Sequence, residues 1–407
     1  MKGKLIGALV GCLLVFASCG AFAQAKGKIS GNVVKIGVLD DMSGLYSDIG
    51  GQGDVVAAQM AADEFGGKIL GAPIQVVSAD HQNKPDVGAS KAREWYDSGV
   101  DIIVGTVNSG VALATSKVAN EKHRLFIDSG AGSTQLTNEQ CNPYTVHYEY
   151  DTYSTGTTTA KPLIKQGDKT WFFITADYAF GKSLQADTSK FVEVEGGKVA
   201  GSVLHPLSAS DFSSYLLQAQ ASGAQVIGLA NAGGDLINAV KAASEFGITK
   251  KQKLAALLIF ISDVHSLGLK AAQGLYAANG FYWDHDADSR KWSKAFAAKM
   301  GGKMPTMVNA GTYSSTLQYL KAIQAVGTDD PDAVMKKLKE MTLNDATVKG
   351  GHIRQDGRMV HEFYLYQVKS PSESKGPWDY YKLVATVPGD QAFQPLSQSR
   401  CPMVTKK

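Results

Sequence analysis

Apolar and polar positions alternate over residues 33–39, then give way to a hydroxyl-bearing loop, Asp40-Asp41-Met42-Ser43-Gly44-Leu45-Tyr46, and an amphipathic window at 53–65. Alternation of period two predicts a strand, and the 3.6-residue spacing that follows predicts a helix. Short β-branched runs at 74–78, 102–104 and 125–127 are separated by helical windows at 85–98 and 111–122. This βαβ rhythm predicts a mostly parallel sheet covered on both faces. Pro85 suits the first turn of its helix, where a missing N–H costs nothing.

The rhythm then restarts. Strands are predicted at 170–175, 198–204, 226–230 and 254–260, with helices at 180–194, 212–222 and 235–246. Two successive doubly wound units predict an α/β fold of two similar lobes with one cleft between them. The joining segment 144–152 is aromatic and not Gly/Ser-rich, so it reads as a structured crossover. Beyond a strand at 275–279 come helices at 289–299, 311–326 and 331–341, the last opened by Asp330 as an N-cap. Residues 350–358 and 363–368 predict a hairpin around Asp356-Gly357, followed by a strand at 378–387.

A length of 407 residues fits two domains, and a formal charge of +3 without any basic block argues against a nucleic-acid partner. The first residues set the compartment. A basic start (Met1-Lys2-Gly3-Lys4), an apolar run over 5–16 and the small-x-small site Ala21-Phe22-Ala23 form a secretory signal peptide at residues 1–23, too short to span a bilayer. Phe16-Ala17-Ser18-Cys19-Gly20 approximates a lipobox with Phe in place of Leu, which leaves lipid anchoring at Cys19 as the lesser alternative to a soluble periplasmic protein. Loss of the leader leaves Cys141 and Cys401. In an oxidising compartment they have one possible pairing, a Cys141–Cys401 disulfide, the alternative being two buried free thiols.

Tests for catalytic chemistry fail. No two of the eight His stand at i, i+4, the mature chain has no Cys cluster, and there is no Gly-x-Ser-x-Gly elbow. Ala176-Asp177-Tyr178-Ala179-Phe180-Gly181-Lys182-Ser183 imitates the tail of a P-loop but has Ala where the first Gly belongs, and Gly130-Ala131-Gly132-Ser133-Thr134-Gln135 lacks the last Gly of a dinucleotide fingerprint. No metal, no cofactor and no enzymatic activity are expected. What remains is suited to binding. Gly105-Thr106-Val107-Asn108-Ser109-Gly110 and Asp128-Ser129-Gly130-Ala131-Gly132-Ser133-Thr134 each end a strand with N–H groups and hydroxyls that fit a carboxylate, although each alone fits capping as well. Ser43 completes an anion site in the first lobe. The second lobe offers Asp177-Tyr178, Asn231-Ala232-Gly233-Gly234-Asp235, Ile259-Phe260 and Phe281-Tyr282-Trp283, whose aromatic faces suit a ligand body. Asp177 and Asp235 read either as helix caps or as ligand contacts.

With these loops in family order, the chain resembles the type I periplasmic solute-binding proteins of ABC importers, in the leucine/isoleucine/valine-binding family. The resemblance implies that Ser109 and the loop at Ala131 to Ser133 hold a ligand carboxylate and that Tyr178 meets it from the second lobe. The candidate site is Ser43, Tyr46, Asn108, Ser109, Ala131, Ser133, Tyr178, Asn231, Phe260 and Tyr282. It also implies lobes of 31–148 with 284–350 and of 151–280 with 355–405, hinged near 148–152, 280–283 and 350–354, in a monomer that delivers its solute to an inner-membrane permease and its ATPase. One departure matters. Amino-acid binders carry an acidic anchor near the end of the strand at 254–260, and this chain reads Leu257-Leu258-Ile259-Phe260. An unpaired buried ammonium is costly, so an aromatic or other amine-free carboxylate, such as a lignin-derived acid, is expected. Branched-chain or other amino acids, and amides or urea-like solutes, are the alternatives. An exported amidase-type hydrolase is the rival class, but Ser109 has no His in a recognisable constellation.

Overall fold

The computed structural model describes residues 29–404; the expected leader and Cys19 lie outside the described residues. Strands β1 (Val34–Asp40), β2 (Lys68–Ile69), β3 (Ala72–Asp80), β4 (Ile102–Gly105), β5 (Leu125–Asp128) and β6 (Thr145–His147) form a six-stranded sheet in the order β2-β3-β1-β4-β5-β6. All its pairings are parallel except β2 with β3. Helices α1 (Gly51–Glu64), α2 (Pro85–Asp97) and α3 (Ser109–Lys122) connect its strands. The chain then passes into α4 (Thr152–Lys165) and a second parallel sheet, β7 (Thr170–Ala176), β8 (Lys198–His205), β9 (Val226–Ala230) and β10 (Lys253–Ala256), in the order β10-β9-β7-β8. Its helices are α5 (Ala179–Val194), α6 (Ser213–Ala221) and α7 (Gly233–Glu245), with α8 (Ile261–Leu267) and α9 (Leu269–Ala272) following β10. Both lobes are therefore doubly wound. Strand order reverses between β1 and β4 in one and between β7 and β9 in the other, which puts the ligand crevice at the carboxyl ends of those four strands.

The rest of the chain divides between the lobes. Strand β11 (Tyr276–Asn279) is followed by α10 (Ala287–Lys299), α11 (Met307–Val326) and α12 (Pro331–Glu340). Helix α11 packs on α1, and its Tyr319, Leu320 and Ile323 join the core of the six-stranded lobe. The hairpin around Asp356-Gly357 differs from expectation: β12 (His352–Ile353) pairs with β13 (Met359–Val360). Strand β14 (Phe363–Val368), expected as the hairpin's second arm, instead lies antiparallel between β11 and β15 (Tyr381–Val387). The turn is satisfied by its nearest neighbours, and β14 finds longer partners, its own Tyr366 joining Tyr380 and Tyr381 at the start of β15 in the core of the second lobe. Strand β10 is also shorter than expected. Residues 257–260 are buried but irregular, because Phe260 turns to cap α8, with its N–H donated to Asp263 at 2.9 Å.

Two features tie the lobes together. Cys141 and Cys401 are joined by a disulfide with Cα atoms 5.7 Å apart. The tail past β15 thus leaves the second lobe and is fastened to the first, where the Arg400 N–H donates to Asn138 Oδ1 at 2.9 Å. The other feature is Arg358, fully buried between crossovers. Its guanidinium donates to the carbonyls of Tyr150 (2.8 Å), Met359 (2.8 Å) and Tyr148, lies 3.7 Å from Asp151, and is covered by the Phe393 ring at 4.3 Å.

Beside it, Glu149 is buried so tightly that a Cβ on Gly280 would fall 2.4 Å from its carboxyl. Burial pushes that carboxyl up to about 8, with the Arg358 charge pulling the other way. The folded chain therefore keeps a proton that the unfolded chain loses near 4.5, so stability falls as pH rises through the window from about 4.5 to about 8. Glu149→Gln removes its share of that slope, and chemical-denaturation midpoints of both proteins at pH 5 and pH 9 should converge at the acid end and separate at the alkaline end, with the variant the more stable.

Candidate functional site

The carboxyl end of β1 is shaped by two buried acids. Asp40 accepts N–H groups from Asp41 (2.8 Å), Val107 (3.1 Å) and Gly51 (3.0 Å), fastening the loop after β4 and the start of α1 to one carboxyl. Asp41 accepts from Gly44 (2.7 Å) and Tyr46 (2.8 Å), closing a turn that swings Tyr46 inward. Ser43 points the other way: it is exposed and its hydroxyl donates to Asp80 at 2.7 Å. The structure does not bring Ser43 to the cluster described below.

After β4, Gly105 and Thr106 both have positive φ, 89° and 75°. A β-branched residue in that region is strained, and a 2.8 Å hydrogen bond from the Thr106 hydroxyl to the Leu39 carbonyl holds it there. The chain thereby enters α3 with Asn108 as N-cap, its side-chain oxygen accepting from Gly110 at 2.9 Å and Val111 at 3.2 Å. Asn108 thus serves the helix end. Ser109, the first helical residue, faces the loop after β5, and its hydroxyl oxygen accepts the N–H groups of Gly132 and Ser133, each at 3.2 Å. Its own proton has no acceptor among the described residues. Ala131 fixes that loop, donating to Asp128 at 3.1 Å and accepting from His147 Nε2 at 2.7 Å, while Ser133 caps the next turn through Gln135. The buried Ser109 hydroxyl thus gathers two N–H groups on its oxygen and keeps its own proton to give.

The second lobe meets the first beside this loop. Tyr178, following β7, meets Tyr46 with phenol oxygens 2.6 Å apart. Burial and then the facing phenol hold Tyr46 well above its usual range, so both hydroxyls stay protonated, one proton bridging the pair and the other left to donate. Gly132 has no room for a side chain: a Cβ there would lie 2.9 Å from Tyr150 and 3.1 Å from Phe180. Phe260 packs edge-on against Tyr150 at 6.1 Å, and Tyr46, Val107, Tyr150, Phe180, Ala232 and Phe260 belong to one apolar cluster spanning both lobes. A polar clasp lies alongside, where Thr134 of the first lobe donates its N–H to the Ser183 hydroxyl at 3.3 Å and its hydroxyl to Asp187 at 3.0 Å.

Of the residues picked from sequence, Tyr46, Tyr178 and Phe260 lie in the contact between the lobes, and Ser109, Ala131 and Ser133 in the loop contact whose Gly132 abuts Tyr150 and Phe180. Asn231 follows β9, fully buried, with its amide nitrogen 3.1 Å from His205 Nε2. Tyr282 is elsewhere, donating to the Trp378 carbonyl at 3.1 Å and packed at a tilt against Tyr366 and Tyr381 in the core of the second lobe. Sequence reasoning missed Tyr150 and Phe180. Tyr150 lay in a segment read only as a crossover, and Phe180 opened a helix whose period marked it as core.

A family model described as periplasmic binding protein matches residues 33–377. The crystal structure of a periplasmic binding protein from Burkholderia mallei is similar with 58% sequence identity and a TM-score of 0.90, covering 92% of this chain and 100% of that one. A branched chain amino acid ABC transporter periplasmic ligand-binding protein from Burkholderia xenovorans is 44% identical with a TM-score of 0.81, covering 91% of this chain and 100% of that one. The Leu/Ile/Val-binding protein homolog 6 of Brucella melitensis is 23% identical over 326 residues, 77% of this chain and 82% of its own length.

Proposed function

The chain belongs to the periplasmic binding protein family, the solute receptors of ABC importers and not enzymes, and from that premise we propose that it captures a small carboxylate, an aromatic acid, between its lobes and hands it to a membrane permease. The observation that supports this reading is the cluster at Ser109, Gly132 and Ser133, where two N–H groups that a ligand carboxylate could draw from the Ser109 oxygen, and that residue's spare hydroxyl proton, lie beside aromatic residues of both lobes. Ser109 and the loop at Ala131 to Ser133 hold the carboxylate, and the Tyr46–Tyr178 pair gives it the one phenol proton not spent between them. Tyr150, Phe180 and Phe260 pack the ring, and Asn231 meets its far side. An amine-free body is favoured because the end of β10 presents Leu257, Leu258, Ile259 and Phe260 to the interior, none of which can pair an ammonium.

Closure follows from the contacts: carboxylate donors in one lobe and aromatic cover in the other are engaged together only when the lobes meet, and that differential affinity shifts the population toward the closed form. The crossovers near 148–152, 280–283 and 350–354 bend, the hinge motion known for this class of protein. The name carried by the Burkholderia xenovorans relative favours a second reading, a branched-chain amino acid. Titration calorimetry with benzoate and with leucine separates the two. Benzoate-type acids are expected to bind, and Ser109→Ala is expected to weaken them by about 1–3 kcal/mol. Micromolar leucine binding without benzoate binding overturns the aromatic reading, and an unchanged Ser109→Ala variant moves the carboxylate elsewhere.

A further inference from the structure

At the mouth of the second lobe two acceptor atoms are buried without a partner among the described residues: Asn231 Oδ1 and Asp235 Oδ1. Both side chains are fully buried. Their other atoms are accounted for. His205 Nδ1 donates to the Pro206 carbonyl at 2.9 Å, which leaves Nε2 as the acceptor for Asn231 Nδ2 at 3.1 Å and fixes the orphan as the amide oxygen. Asp235 Oδ2 accepts the Ser208 N–H at 3.1 Å. Buried polar atoms are nearly always paired in folded proteins, so two orphans at the start of α7, one just before it and one in its first turn, call for a missing partner.

Their place in the fold says where that partner comes from. Gly233, between them in sequence, stands against the first lobe, where a Cβ would lie 3.0 Å from the Leu45 carbonyl and from the Tyr46 ring. Burial first, and the nearby Asp235 charge after it, raise both Tyr46 and Tyr178. Burial pushes Asp235 itself up to about 6; of the two N–H groups that oppose it, Ser208 and Ala209, only Ser208 lies in hydrogen-bond geometry. A buried acceptor of this kind gains from a ligand hydrogen and gains nothing from an apolar edge.

Resting on the carboxylate reading above, we infer that Asp235 Oδ1 and Asn231 Oδ1 take a hydroxyl or amino hydrogen of the bound acid, so that the protein selects carboxylates carrying such a donor over those lacking it. Sites built to pair a donor reject the analogue without it far more strongly than apolar pockets discriminate by size. The test is titration calorimetry of the full chain and of Asp235→Asn with two matched pairs of probes, 4-hydroxybenzoate against benzoate and leucine against 4-methylpentanoate.

Within whichever pair binds, the wild-type protein should favour the donor-bearing acid at least tenfold. Asp235→Asn keeps an oxygen for Ser208 but can turn the free acceptor into an N–H; it should lose tenfold or more on that acid and less than twofold on its partner. Response in the first pair marks a hydroxyl as the donor, and response in the second an ammonium. Equal losses on both members, or no preference in the wild type, overturn the inference and leave carboxylate capture standing. If none of the four acids binds, both fall. Asn231→Ala, read by the same ratio, removes the neighbouring acceptor and decides the matter should Asp235→Asn fail to fold.

Discussion

Arg358→Ala is expected to lower the free energy of unfolding by about 3–5 kcal/mol, the range for breaking a buried, hydrogen-bonded charge. The guanidinium donates to carbonyls of Tyr148, Tyr150 and Met359 and lies beside Asp151. Alanine would leave those carbonyls without their donor and the buried Asp151 without its counter-ion. It would also open a hollow beneath Phe393. Arg358→Lys should recover little, because one ammonium on a flexible stem cannot reproduce a planar fork that reaches several oxygens at once. Urea midpoints of the three proteins measure this directly. A loss below about 1 kcal/mol for alanine, the scale of an exposed ion pair, would mean that the crossovers are held by packing and not by this side chain.

The second large effect is covalent. The Cys141–Cys401 bridge closes a loop spanning 260 positions, and in the chain-entropy account a loop of that size restrains the unfolded state by about 5 kcal/mol. The paired variant Cys141→Ser with Cys401→Ser is expected to lose stability on that scale. It should also free the tail from the first lobe, since Cys401, the Arg400 backbone and the Asn138–Gln394 hydrogen bond of 2.9 Å lie on one short stretch. Denaturant titration of the variant, and of the parent before and after reduction, gives the number. Agreement between variant and reduced parent ties the loss to the bridge, and an unshifted midpoint in both would show that the tail's other contacts suffice.

How much of this was legible from the chain depends on the range of the interaction. Period-two and 3.6-residue patterns located both doubly wound units because each strand and helix buries a face set by its own sequence, as at β9, where the expected and observed bounds coincide. The pairing of Cys141 with Cys401 could be read because only two thiols remained to pair. The loops at Gly105–Ser109 and Gly130–Ser133 could be read because strand ends followed by helix starts expose N–H groups wherever they occur. Orientation could not. Ser43 and Tyr46 lie in one turn, and only the Asp41 carboxyl, binding Gly44 and Tyr46 N–H groups, decides that the phenol turns in and the hydroxyl out. Residues 257–260 look like strand because a buried irregular segment and a buried strand share the same apolar run. Partners far apart in sequence, such as Tyr150 with Phe260, or Arg358 with the carbonyls of Tyr148 and Tyr150, leave no local pattern at all.

The central claim is that the two lobes grip a small carboxylate by closing on it. Small-angle X-ray scattering of the purified protein, with and without a saturating acid that calorimetry has shown to bind, tests it most directly. The radius of gyration should fall on binding and stay at its open value in Ser109→Ala at the same acid concentration where occupancy is lost. An unchanged radius at full occupancy would contradict the account.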